Sequence, residues 1–236
     1  MNNTLLKELN EKLAAIALVP SSKTTIKIKP ISIKQIKTVV DKSIEVSYFD
    51  IGFKRAITNI LKSNIITDVP VELTEADVSV LFLYLKNGGT FKGVKVNDII
   101  AKTTNAISSV EIQKTLTFES ITVNLCSPTI TRLEQLEDLL IKSIETDADG
   151  NLKNEQETGT MYFLIEILKN ISSLKINDVE LIDGKSVSEQ LETVQELPYQ
   201  IANEIVKYSQ DLQLNLNKAL TYNDDVEVSF DISFFE

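Results

Sequence analysis

The sequence predicts an α+β fold dominated by helices, with several short antiparallel hairpins. Three observations lead to this class. Many apolar residues recur at helical spacing, short alternating runs occur in pairs around turn residues, and the chain contains no short internal repeat. The length of 236 residues suits either one large domain or two small ones, and the sequence leaves that choice open.

An amphipathic helix is predicted for residues 1–22. Its apolar residues repeat at helical spacing, at Leu5, Leu6, Leu9, Leu13, Ile16 and Ala17. The short apolar run after Lys12 imitates a secretory signal peptide, but Glu8 and Glu11 do not suit the positive flank of one. We therefore expect a helix that packs on the body of the protein or on a partner. No run approaches the roughly 18 apolar residues that a membrane span requires.

Residues 23–145 are predicted to form an α+β domain. The alternating stretch Thr24–Lys29 indicates a half-buried strand, and Val94–Val96 indicates a short strand that leads into a helix. Two amphipathic helices lie between them, with apolar residues at Ile33, Ile36, Val39 and Val40 in the first and at Phe53, Ile57, Ile60 and Leu61 in the second. Farther along, Thr115–Phe118 and Ile121–Leu125 alternate as the two strands of a hairpin.

The most apolar helix of this domain is predicted to begin at Thr74, an N-cap residue followed by Glu75 and Asp77, and to end at Gly88-Gly89. It is apolar on most of its circumference, at Val78, Val80, Leu81, Phe82, Leu83, Tyr84 and Leu85. A helix of this kind lies in the centre of a core or against another chain, so Phe82 and Tyr84 are candidate partner contacts.

An acidic loop or hinge is predicted for residues 146–159, and it carries the sharpest local match to a metal site. Glu145, Asp147 and Asp149 stand at positions 1, 3 and 5 of a calcium-loop pattern, with a glycine at position 6. Position 12, however, is Gln156, which cannot act as a charged bidentate ligand. We therefore interpret the segment as an acidic surface loop and predict no metal and no cofactor.

Residues 160–236 are predicted to form a helical part with a hairpin and a terminal strand, and a single domain shared with residues 23–145 is the alternative. The expected elements are a helix over Met161–Ile171, a hairpin over Leu174–Ile182 that turns at Asn177-Asp178, a long helix after Pro198 and an alternating strand over Val226–Phe235. Capping boxes predict two helix starts, at Thr131 with Glu134 and at Ser186 with Glu189.

The composition argues against most forms of enzyme catalysis. The chain has no histidine and no tryptophan, and Cys126 is its single cysteine. Nucleophile–histidine pairs and zinc clusters of histidine and cysteine are therefore excluded. We expect a buried strand residue at Cys126 and a chain that is not an enzyme, although catalysis by carboxylates, lysine or tyrosine stays open. A lone cysteine also predicts synthesis in a reducing cytoplasm.

The net charge of −10 argues against binding to nucleic acid or to an anionic membrane, because phosphate recognition needs surplus lysine and arginine. A basic segment with Lys23, Lys27, Lys29, Lys34 and Lys37 has no interleaved aromatic residues for base stacking, so we interpret it as a solvated face. These limits favour a protein that works through contacts with other proteins.

Five segments taken in order carry a family resemblance: Ile26–Ile36, the acid-led Leu73–Gly88, Val123–Thr129 with its Pro128-Thr129 end, Glu196–Pro198 and the terminal Phe234-Phe235. Together they resemble the base plate hub protein family of T4-like contractile-tailed phages. The resemblance extends over roughly Thr24 to Glu236, and the order and spacing of the segments carry it more than any one of them.

The resemblance implies a non-enzymatic tail-assembly protein of a bacteriophage, made in the host cytoplasm and acting in construction of the base plate hub. It would be either a structural subunit retained in the virion tail or an assembly factor. The alternative is a chaperone-like adaptor for a tail protein such as the tape measure, absent from the mature virion. Its partners would be other tail proteins, and homo-oligomers stay open. The candidate contact residues are Leu5, Leu9, Leu13, Phe82, Tyr84, Phe234 and Phe235.

Overall fold

A computed structural model describes residues 2–44, 51–67, 70–86, 88–146, 148, 153–222 and 226–227 of the chain. The chain separates into two compact units. Unit 1 contains residues 1–110 and 216–236, and unit 2 contains residues 111–215. The predicted hinge at 146–159 lies inside unit 2, so it does not coincide with a boundary between the units.

The described residues form nine helices and several short antiparallel sheets, which confirms the predicted α+β, helix-dominated class. The helices are α1 (Asn2–Lys12), α2 (Ile33–Ile44), α3 (Ile51–Asn64), α4 (Glu75–Leu85), α5 (Val96–Ser108), α6 (Ile130–Ser143), α7 (Glu155–Leu168), α8 (Val187–Gln195) and α9 (Tyr199–Leu220). The strands are β1 (Ala15–Leu18), β2 (Thr25–Ile28), β3 (Ile65–Ile66), β4 (Thr90–Phe91), β5 (Val94–Lys95), β6 (Gln113–Phe118), β7 (Ile121–Cys126), β8 (Ile171–Ile176), β9 (Val179–Glu180), β10 (Thr221–Tyr222) and β11 (Val226–Glu227). No described helix combines the length and the apolar character needed to cross a lipid bilayer.

Unit 1 is built around helix α4 and a three-stranded antiparallel sheet in the order β1-β2-β3. Helix α4 packs against β1, β2, α3 and α5. Its fully buried residues, Val80, Leu81, Phe82, Leu83 and Leu85, cover most of the helix circumference. The helix is therefore the centre of this core, which is one of the two environments that its all-round apolar character predicted.

The predicted amino-terminal helix is too long. Helix α1 ends at Lys12, and Ile16 and Ala17 lie in strand β1. Ala17 pairs with Ile26 of β2, and both are buried, whereas Ile16 faces solvent. The alternation of buried and exposed residues is that of a half-buried strand, and pairing with β2 overrides the helical spacing of the same apolar residues.

Unit 2 contains a four-stranded antiparallel sheet in the order β6-β7-β8-β9. Both predicted hairpins are confirmed. The first turns at Glu119, with a φ of 49°, and the second at Asn177 and Asp178, with φ values of 49° and 64°. Asparagine and aspartate tolerate positive φ better than most residues, which is why this pair predicts a tight hairpin turn.

Two helices of unit 2, α6 and α7, begin at residues other than those predicted from the sequence. Helix α6 is capped by Thr129, whose Oγ1 accepts a hydrogen bond from the Arg132 N–H at 3.2 Å, so the predicted cap at Thr131 is wrong. Helix α7 begins at Glu155, inside the predicted loop, because the acids of its first turn suit the positive end of a helix. The predicted Ser186–Glu189 capping box is confirmed.

The ends of two elements also differ from the prediction. Helix α7 stops at Leu168, and Ile171, which was assigned to that helix, begins strand β8. The predicted terminal strand is represented by β11, Val226–Glu227, and its continuation through residues 228–236 lies outside the described residues. The long helix after Pro198 is confirmed as α9.

Candidate functional site

The main exposed apolar surface of unit 1 lies at the start of the chain. Leu5 and Leu9 are one turn apart on α1 and are 66% and 50% exposed. Leu13, just past the end of the helix, is 46% exposed, and Ile16 on the edge strand β1 is 69% exposed. We call these four residues the amino-terminal apolar face. Within the described ranges, α1 shares no extensive packing with another helix or strand.

A buried carboxylate fixes the segment that follows this face. Asp77 on α4 is fully buried and accepts hydrogen bonds from the Ser21 backbone N–H at 2.8 Å and the Ser21 hydroxyl at 2.6 Å. The Thr74 N–H and hydroxyl each donate to it at 2.8 Å. Four donors satisfy its oxygens, so Asp77 joins the β1–β2 turn to the start of α4 and is a structural residue.

The second candidate contact region, helix α4, does not form a surface at Phe82. This side chain is completely buried by its own unit, so the expectation that Phe82 contacts a partner is corrected: it has no area to offer in this fold. Tyr84 is half-buried and keeps some exposed area. The third candidate region, Phe234 and Phe235, lies outside the described residues.

The calcium-loop candidate is only partly described. Glu145 is exposed, whereas Asp147 and Asp149 lie outside the described residues. Asn154 closes the base of the loop, because its Nδ2 donates to the Ser143 carbonyl at 2.8 Å and its Oδ1 accepts from the Glu145 N–H at 3.2 Å. Across the part of the chain that the structure covers, no group of three or more acidic or cysteine side chains could hold a metal.

Glu180 on β9 is a carboxylate of unit 2 whose pKa is strongly perturbed. The Ser173 hydroxyl donates to it at 2.6 Å, and the N–H groups of Leu174, Ile182 and Asp183 donate at 3.1, 2.9 and 3.1 Å. Desolvation by burial raises the pKa of Glu180, but these bonds favour the charged form more strongly and lower the pKa to about 2. The charged carboxylate closes the β8–β9 hairpin and is a structural group.

Other perturbed groups in unit 2 also serve the fold. The Tyr208 hydroxyl donates to the Ile112 carbonyl at 2.8 Å. Burial, and after it the electrostatic effects of Cys126 and Glu111, raise the pKa of Tyr208, so the phenol stays protonated. Desolvation lowers the pKa of Arg132. Cys126 ends strand β7, which confirms it as a strand residue, but it is half-buried and not buried as expected.

An open groove of about 600 Å³ lies on helix α7 of unit 2, between α6 and α8. Its floor is apolar and its rim is polar, with Leu139, Met161, Leu164 and Leu191 on the floor and Glu157 and Glu192 on the rim. This groove could not be predicted from the sequence, because leucines at helical spacing on α6 and α7 are also typical of ordinary core positions. Ile16 was also missed as an exposed residue, since it was assigned to a helix.

No model of a known protein family matches the chain, and comparisons with curated proteins and with solved structures found no match either. The functional interpretation therefore depends on the geometry of these surfaces and on the family resemblance of the sequence segments. Of the seven candidate contact residues, Leu5, Leu9 and Leu13 are exposed and follow one another at helical spacing, whereas Phe82 lies in the core.

Proposed function

We propose that this protein is a non-enzymatic component of a contractile phage tail, acting in construction of the base plate hub through contacts with other tail proteins. The order of the five resembling segments supports the tail assignment. The amino-terminal apolar face supports action through contacts, and it is the single observation on which that part of the proposal depends. Synthesis in the host cytoplasm, followed by incorporation into the tail, belongs to the same proposal.

The exposed side chains of the face make its burial by a partner favourable. Covering a leucine or isoleucine side chain completely is worth about 1.5 to 3 kcal/mol, and Leu5, Leu9 and Ile16 each have half or more of their surface exposed. A partner that covers them gains a substantial part of this free energy. An exposed apolar row on a helix is typical of a surface that another protein covers.

The chemistry of the described titratable groups favours contacts over catalysis. Asp77 and Glu180 are saturated with hydrogen-bond donors from their own chain, so neither is placed to exchange a proton with a substrate. An enzyme based on carboxylates would need two of them with different environments in one cleft. We therefore propose that the protein does not act as an enzyme.

Tail assembly in infected cells tests the proposal. A phage that carries the double substitution Leu5→Glu and Leu9→Glu is expected to produce few completed tails, because two charges would have to be buried in the contact. The control is Ile33→Glu, which places one such charge at a residue that is 86% exposed on α2. The proposal fails if the double variant folds and completes tails as efficiently as the control.

The adaptor alternative uses the same face but predicts a different fate after assembly. A hub subunit is retained at fixed stoichiometry in purified virions, whereas an adaptor for a protein such as the tape measure is absent from them. Quantitative mass spectrometry of purified particles separates the two. Presence at a fixed ratio to the other hub proteins supports the structural subunit, and absence supports the adaptor.

A further inference from the structure

The groove on α7 has the geometry of a helix-binding site. Along α7 it extends from Gln156 to Leu164, which corresponds to about 12 Å of helix, or slightly more than two turns. Of the floor residues, Leu191 of α8 is buried, whereas Met161 and Leu164 of α7 remain half-exposed. Half-exposed apolar residues beneath a polar rim resemble the grooves that receive the apolar face of an amphipathic helix.

The charge of the rim limits which helix fits. The described residues that line the groove include Glu157 and Glu192 but no lysine and no arginine. Both glutamates are exposed, one on α7 and one on α8, so both charged residues that line the groove are negative. A bound helix with lysine or arginine next to its apolar residues would place opposite charges near these glutamates, whereas an acidic helix would be repelled.

We propose that this groove binds an amphipathic helix of another protein, with leucine-type residues at i and i+4 and with lysine or arginine beside them. The proposal does not depend on the phage assignment. The competing occupant is helix α1 of a second copy, which also carries leucines at i and i+4. Its two lysines are balanced by Glu8 and Glu11, so α1 has no net positive charge to complement the acidic rim.

The two methionines of the chain make a direct test available. Met161 lies on the groove floor, and the only other methionine is Met1. Protein labelled with ¹³C at the methionine methyl groups is therefore expected to give two methyl resonances, which the variant Met161→Leu assigns. The probe is a synthetic amphipathic peptide of about 15 residues built from leucine and lysine, long enough to form a helix when bound. Its addition is expected to shift the Met161 resonance saturably and to leave the Met1 resonance in place.

Variants and control peptides separate groove binding from general attraction to an acidic protein. The substitution Glu192→Lys is expected to weaken binding of the lysine peptide about fivefold to tenfold, and a glutamate version of the peptide should then bind the variant better than it binds wild type. Asp211→Lys, an exposed acid on α9, is the matched control and should change the affinity less than about twofold at physiological salt.

Three results would overturn the proposal. The first is a Met161 resonance that does not move while the peptide binds elsewhere. The second is equal binding of a scrambled leucine–lysine peptide, which would show attraction by charge alone. The third is a shift of Met161 on raising the concentration of the protein without peptide, together with a larger assembly in sedimentation, which would assign the groove to a second copy of the chain.

Discussion

Helices α1 and α4 belong to the same unit, each has 11 residues, and both were predicted as partner contacts because of their apolar residues. The structure gives them opposite environments. Phe82 of α4 is completely buried, whereas Leu5 and Leu9 of α1 are half or more exposed. Apolar residues at helical spacing indicate side chains that are buried from water. The pattern does not indicate whether their own chain or another chain buries them.

The difference between the two helices lies in their neighbours. Helix α4 is surrounded by β1, β2, α3 and α5, and Asp77 ties its first turn to the turn after β1. Helix α1 precedes the edge strand of the sheet and has no comparable neighbours among the described residues. Three predictions test this contrast and a fourth tests a carboxylate of unit 2, in order of decreasing effect on stability.

The largest effect is expected from Phe82→Ala. Removal of a fully buried aromatic side chain leaves a cavity and should lower the free energy of unfolding by about 3 to 5 kcal/mol. Leu9→Ala truncates a side chain that is already half exposed, so it should change the free energy of unfolding by about 0.5 kcal/mol or less. Urea denaturation of both variants measures the difference, and equal losses would remove the distinction between the two helices.

The Asp77 carboxylate should have the next largest effect. Asp77→Asn replaces one acceptor oxygen with an amide that faces hydrogen-bond donors, which should cost about 2 to 3 kcal/mol of unfolding free energy. The control is Asp98→Asn, because Asp98 is also the third residue of its helix but is exposed. If Asp77→Asn lowered the free energy of unfolding no more than Asp98→Asn did, the buried hydrogen bonds of Asp77 would not stabilise the turn.

These expectations rest on features that local sequence predicted with uneven success. The Asn177-Asp178 turn and the Ser186–Glu189 capping box were predicted correctly because both are decided within a few residues. Ile16 and Ala17 were assigned to a helix because the pairing of Ala17 with Ile26, which makes them a strand, is not local. For the same reason the sequence could not separate core leucines from those of the groove, since that distinction depends on how α6, α7 and α8 pack.

A smaller, pH-dependent effect is expected in unit 2, where Glu180 contrasts with the exposed acids around it. Its folded-state pKa of about 2 lies below the ordinary value of 4.5, so its stabilising contribution is present above pH 4.5 and is lost as the pH falls towards 2. After allowance for its partial exposure to solvent, Glu180→Gln should cost about 1 to 2 kcal/mol at neutral pH.

The direction of the pH dependence tests most directly whether the charge of Glu180 stabilises the hairpin. The difference in unfolding free energy between wild type and Glu180→Gln should shrink as the pH is lowered from 4.5 to 2, because protonation abolishes the same interactions in wild type. Ser173→Ala removes one donor and should show a weaker form of the same behaviour. A difference that stays constant across this range would show that the carboxylate charge does not stabilise the hairpin.

The smallest effect on stability is expected for the amino-terminal apolar face itself. The double substitution Leu5→Glu and Leu9→Glu changes exposed side chains only, so the free energy of unfolding should change by about 0.5 kcal/mol or less. Thermal denaturation compared with Ile33→Glu measures this. A large loss of stability would mean that the two leucines are buried by their own chain in solution and are not available to a partner.

Amide hydrogen exchange tests the central claim most directly, because it follows α1 and α4 in the same sample. The account predicts slow exchange for α4 in both the isolated protein and purified tail assemblies. It predicts fast exchange for α1 in the isolated protein and exchange slower by at least about tenfold after assembly, when a partner covers the amino-terminal apolar face. Exchange in α1 that is equally fast before and after incorporation would contradict the account.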